Sequence, residues 1–111
     1  MDAERFLDAL PELFDDFPRS PHPRGRRFDD IVSTVPNLAE ENTLAVVNLA
    51  ASLLDPGEAY LEAGTYMGAS LIAAARGNAA ELVAIDDFSF PARETERRVL
   101  PAADRRLLEA N

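Results

Sequence analysis

Tyr60-Leu61-Glu62-Ala63-Gly64-Thr65-Tyr66-Met67-Gly68-Ala69-Ser70, followed by Leu82-Val83-Ala84-Ile85-Asp86-Asp87-Phe88, is the stretch whose reading decides the fold. Ala59 to Ala63 reads as a short strand that runs into a turn at Gly64, where the chain must leave the strand sharply and a residue free to take positive φ is favoured. From Ala69 to Arg76 the run ASLIAAAR is built of strong helix formers and closes on Gly77-Asn78. Leu82 to Ile85 is a short apolar run, as expected of a parallel strand buried on both faces. Strand, helix and strand within about 30 residues make one βαβ unit, with a right-handed crossover expected. The predicted class is α/β.

Upstream of this unit, a helix is predicted from about Leu38 to Leu54. Asn37 is its expected cap, with Glu40 three residues later in a box-like arrangement. Ala45, Val46, Leu49, Ala50, Leu53 and Leu54 form its expected apolar face. Asp55-Pro56-Gly57 stops it. Residues 2–17 carry Phe6, Leu7, Leu10, Leu13, Phe14 and Phe17 near helical spacing, and Pro11 should start a second short helix or kink the first. Three prolines and Gly25 make residues 18–27 an irregular connector. His22, the only histidine, is expected to be exposed and idle there. Downstream, Pro91 to Asn111 is charged and expected to be helical in part, divided by Pro101, with a helix starting over Arg105 to Ala110. Residues 1–36 thus read as an N-terminal helical and loop extension, and residues 37–111 as the start of a larger α/β domain.

Bulk composition narrows the function classes. The 111 residues are 47% hydrophobic, which suits a globular chain. Eleven basic residues, every one an arginine, face 20 acidic ones, for a net charge of −9. Such a chain is a poor nucleic-acid binder, because phosphate contacts need a basic surface. Arg19, Arg24, Arg26 and Arg27 cluster in the proline-rich connector without interleaved aromatics, which reads as a solvated segment. No apolar run approaches the roughly 18 residues of a membrane span. The N-terminus lacks the pattern of a signal peptide. Without cysteine there is neither a disulfide framework nor a thiolate metal site. A cytoplasmic protein is the expectation.

The chemistry lies in the βαβ stretch. Glu62 puts a carboxylate at the C-terminal edge of the first strand and Asp86 puts one at the same edge of the second. That edge is where open α/β sheets bind ligands. An acid at the end of the second strand, about 20 positions beyond the glycine turn, is the usual partner of an adenosine ribose. Gly68 stands where the following helix begins, so a ligand could approach the backbone, and the amides of that first turn point outward as donors. Two carboxylates disfavour a phosphate-rich ligand. S-adenosylmethionine, with a ribose, an amino group and a sulfonium but no phosphate, fits them better than NAD. The G-x-G-x-x-G spacing of dinucleotide sites is also replaced by G-x-x-x-G.

The same residues have plainer readings. G-x-x-x-G occurs in helix packing, Glu62 could be an exposed strand end, and Ser70 a first-turn hydroxyl. Asp86-Asp87 could cap the next turn, with Asp87 rather than Asp86 facing the ribose. A metal held by that pair is disfavoured, because neighbours on a strand point to opposite faces. Tyr66 and Met67 suit a place over a ligand and packing on a neighbouring element equally well.

E-x-G-x-x-x-G-x-S between a strand and a helix, followed by Ile85-Asp86-Asp87-Phe88-Ser89, resembles the class I S-adenosylmethionine-dependent methyltransferases. Within them it is most similar to the branch related to macrocin-type O-methyltransferases, which tend to carry E-N in a helix before the first strand; Glu41-Asn42 falls in the matching place. The resemblance covers roughly residues 38–90. It implies a Rossmann-like fold, S-adenosylmethionine as cofactor and a small-molecule substrate. Glu62, Gly64, Thr65, Gly68 and Ser70 would line the methionine and ribose side, and Asp86 would hold the ribose hydroxyls. It assigns no catalytic or metal-binding residue in this chain.

A methyltransferase of this class has about seven strands, whereas two are expected here. The sheet is therefore expected to be incomplete and the chain a fragment or truncated frame, inactive alone. It would pair with a missing C-terminal half or form a homo-oligomer. The alternatives are a stand-alone nucleotide-fold-derived binding or interaction module and, more remotely, an NAD-type Rossmann domain.

Overall fold

The computed structural model describes residues 1–37 and 39–87. The calls on the tail from Pro91 to Asn111, and on Leu38 and Phe88, lie outside the described residues. Among the described residues the elements run α1 (Ala3–Ala9), a 3-10 turn (Leu10–Leu13), a second 3-10 turn (Arg24–Arg26), α2 (Asp29–Thr34), α3 (Glu41–Ser52), β1 (Ala59–Ala63), α4 (Ala69–Ala75) and β2 (Glu81–Ile85). β1 and β2 pair in parallel, Tyr60 opposite Leu82 and Glu62 opposite Ala84. A parallel pair joined through a helix is compatible with the expected α/β start. No helix among the described residues is long and apolar enough to cross a membrane.

The N-terminal elements follow their local signals. Asp2 Oδ1 accepts from the Glu4 and Arg5 amides at 3.0 and 3.2 Å, so a side-chain cap starts α1. Pro11 falls at the start of the 3-10 turn, where its missing N–H costs nothing. α2 has no counterpart in the sequence reading. It is six residues long and holds only Ile31 fully buried, too short to show a periodicity.

α3 departs from expectation in two ways. It starts at Glu41, with Glu40 as a cap residue that makes no side-chain cap bond. Asn37 is not the cap. Its Nδ2 donates to the Val35 and Val32 carbonyls, the latter at 3.3 Å, and its Oδ1 accepts from Ala39 N at 3.0 Å. The side chain therefore stitches the turn between α2 and α3, a local alternative open to asparagine. The buried stripe is also rotated from the expected apolar face. It consists of Glu41, Leu44, Ala45, Asn48 and Ala51, while Val46, Leu49 and Ala50 are half-buried. Two polar residues on the buried face hid the stripe from a hydrophobicity pattern.

The core joins α2, α3 and α4. Phe28, Ile31, Leu44, Ala45, Ala69 and Ala73 form one buried cluster, with Val32, Val35 and Ile72 packed against it. Alanines at 45, 69 and 73 let α3 and α4 approach closely, and full burial of a leucine such as Leu44 contributes about 1.5–3 kcal/mol. Asn48 Nδ2 donates to the carbonyls of Ala73 and Arg76, at 2.7 and 2.8 Å, satisfying the end of α4.

Among the described residues, the sheet is covered on one face only. Leu61, Val83 and Ile85 are 63%, 40% and 59% exposed, whereas Tyr60, Glu62, Leu82 and Ala84 on the other face are half-buried. The expectation that β2 is buried on both faces therefore fails. An apolar run marks a strand suited to a two-sided cover, but the helices described here lie to one side.

Candidate functional site

At the C-terminal edge of the sheet, Gly64 follows β1 and Asp86 follows β2. The pairing continues one step past the strands, with the Gly64 amide donating to the Ile85 carbonyl at 2.7 Å. Gly64 has φ 81° and nothing within 4 Å of where a Cβ would stand. Its requirement for glycine is conformational. The chain then turns through Thr65, Tyr66 and Met67 and enters α4 from Gly68, whose φ of 90° makes it a left-handed cap. The Gly68 amide donates to Thr65 O at 2.9 Å and closes the turn.

A cleft of about 430 Å³ opens over this turn. Gly64, Thr65, Tyr66, Met67, Ala69 and Ser70 form one wall, Asp86 and Asp87 a second, and Pro36, Asn37 and Ala39 a third. Of the residues singled out in the sequence, Gly64, Thr65, Ser70 and Asp86 line the cleft. Gly68 and Glu62 do not. Gly68 is buried and shapes the entry to α4. Glu62 sits behind the turn, accepting from Tyr60 Oη at 2.7 Å and from Thr65 Oγ1. Thr65 is buried, so the Glu62 carboxylate reaches the cleft through that hydroxyl. Burial, with the hydrogen bond to Glu62, pushes the Tyr60 phenol well above its usual range and keeps it a neutral donor.

Asp86 Oδ2 accepts from the Tyr66 amide at 2.6 Å, which fixes the carboxylate against the turn. Asp87 lines the cleft beside it. Both acids follow the strand, because β2 ends at Ile85. Among the described residues no group of three or more His, Cys, Asp or Glu side chains is arranged to hold a metal ion.

The wall from Pro36 to Ala39 was absent from the sequence reading. Its signal was present, since Pro36-Asn37 marks a turn. The turn's place beside the glycine loop follows only from the packing of α2 and α3 on α4. Among the described residues, no basic side chain lines the cleft. Asp86 and Asp87 place two acidic residues along this lining.

No protein-family model, curated protein or solved structure matches this chain.

Proposed function

We propose that this chain is the cofactor-binding front portion of a class I S-adenosylmethionine-dependent methyltransferase with a Rossmann-like sheet. One observation carries the reading. An acid stands at the C-terminal end of each of two paired parallel strands, around a glycine turn, beside a cleft that Asp86 lines. The residues fit the chemistry of that cofactor. A sulfonium and an ammonium are attracted by carboxylates such as those of Asp86 and Asp87, whereas a pyrophosphate is repelled by them.

On this reading Asp86 holds the ribose hydroxyls. Gly64, Thr65 and Ser70 flank the ribose and methionine side, and Gly68 shapes the backbone that receives them. Glu62 orients the Thr65 hydroxyl and supplies negative charge behind the turn. When bound, the cofactor supplies an electrophilic methyl group, and holding it in line for displacement is the contribution expected of such a site.

Titration calorimetry of the full chain with S-adenosylhomocysteine, and separately with NAD, tests the proposal. Binding of the first alone is expected, with Asp86→Ala weakening it by roughly 1–3 kcal/mol. An unchanged affinity in Asp86→Ala would remove the ribose role. NAD binding without S-adenosylhomocysteine binding would point to a dinucleotide domain. A second reading, a binding or interaction module, draws on the bare apolar strand face of Leu61, Val83 and Ile85. A folded chain that binds neither nucleotide and sediments as a complex would favour it.

A further inference from the structure

The turn from Gly64 to Gly68 takes positive φ at three positions, and only two of them are glycine. Gly64 has φ 81°, Gly68 has φ 90° and Tyr66, between them, has φ 52°. A residue with a side chain is strained in this left-handed region, and such strain persists only where surrounding contacts impose it. The turn is tied at three amides. Gly64 N donates to Ile85 O at 2.7 Å, Gly68 N to Thr65 O at 2.9 Å, and Tyr66 N to Asp86 Oδ2 at 2.6 Å. The two glycine ties end on backbone carbonyls. The tie at the strained residue ends on a charged side chain 20 positions away, and hydrogen bonds to an ionised acceptor are the stronger kind.

We propose that Asp86 is a positioning residue for the glycine turn, its carboxylate holding Tyr66 in the left-handed conformation that shapes the cleft. Asp86 thus has a task in the ligand-free chain, separate from contact with a ribose. On the methyltransferase reading, on which this last step rests, one carboxylate both sets the turn and meets the ribose. Cofactor affinity then depends on Asp86 through the backbone as well as through direct contact. Tyrosine at position 66 suits this arrangement. Its side chain is half-buried and lines the cleft, which glycine could not do, and the Asp86 tie offsets the strain.

Nuclear magnetic resonance of the full wild-type chain tests the tie directly. A scalar coupling across the hydrogen bond, from the Tyr66 amide nitrogen to the Asp86 carboxylate carbon, is expected; its absence overturns the proposal. Hydrogen exchange at the Tyr66 amide should accelerate about tenfold or more in Asp86→Ala and by less in Asp86→Asn, whose side-chain oxygen still accepts but carries no charge. The Leu82 to Ile85 amides report that the sheet is intact. Unchanged Tyr66 exchange in a folded Asp86→Ala chain also overturns the proposal. Where S-adenosylhomocysteine binds, adding Tyr66→Gly to Asp86→Ala should recover affinity about fivefold or more, because glycine takes positive φ without strain. No recovery assigns Asp86 to the ligand alone and sinks the positioning role. A chain that shows the coupling and the exchange response but binds no adenosyl ligand supports the positioning role and removes the cofactor reading.

Discussion

Glu41 shows how much one buried acid organises. Its carboxylate is almost wholly shielded and accepts from His22 Nδ1 at 3.0 Å, Arg26 Nε at 2.9 Å and the Phe28 amide at 3.0 Å. A buried charge is tolerated only when it is paired and hydrogen-bonded, and these three donors meet that demand. They also pin residues 22–28 onto the start of α3. His22, expected to be idle, is therefore a structural donor, although its ring remains partly exposed. Glu41→Ala should destabilise the chain by about 2–3 kcal/mol, toward the low end for a broken buried pair because Arg26 and His22 can regain water. Glu41→Gln, which keeps one acceptor oxygen, should cost less. The urea midpoints of the two variants measure both; equal loss would mean that charge, not hydrogen bonding, holds the segment.

At the scale of elements, α4 is fixed at its C-terminal end from two sides. Asn48 donates to its last carbonyls, and Asn78 Nδ2 donates to Ala74 O at 2.8 Å and Asn48 O at 3.2 Å. Asn48→Ala leaves those carbonyls without that partner in a buried site and should cost about 1–3 kcal/mol, read as a lower thermal midpoint. From the other side, Arg76 forms a forked pair with Asp30 at 2.6 and 2.9 Å and lies 5.6 Å from the Phe28 ring centre, joining α4 to α2. The Arg76 guanidinium holds the Asp30 carboxyl below the usual aspartate range. A lowered folded pKa means that this contribution is present above the unfolded value and is lost as pH falls through the folded one. Stability should therefore decline below about pH 5, with Asp30→Asn showing a shallower acid slope. Both side chains are substantially exposed, so added salt should flatten the difference further. Denaturation midpoints followed down to acid pH at two salt concentrations check the sign.

For the molecule as a whole, the described sheet has two strands and one exposed apolar face. Its outer face sets Leu61 beside Val83 and Ala63 beside Ile85 in register, an apolar strip open to solvent. Contiguous exposed apolar surface marks a contact site or an aggregation hazard. Replacing Leu61 and Ile85 together by threonine should lower binding of an apolar dye. The urea midpoint should move by no more than about 0.5 kcal/mol, since threonine keeps the strand preference and little burial is lost. Dye fluorescence unchanged by the substitutions would mean that the strip is covered in solution.

Local chemistry made much of this protein legible in the sequence. The glycine turn, the alanine-rich helix after it and the two strands follow from positive-φ demand, helix propensity and short apolar runs, which act over a few residues. The adjacency of the Asp86 edge and the glycine turn follows from parallel pairing alone. Tertiary structure decided the rest. Glu41 and Asn48 count as polar in any periodicity, yet they occupy the buried stripe of α3, because donors 13–19 positions upstream and carbonyls 25–28 positions downstream reach them. The Pro36 to Ala39 wall and the rank of Glu62 behind Thr65 likewise depend on how helices stack and where a turn closes. Hydrogen-bond partners distant in sequence leave no local pattern, so only the folded chain could bring them together.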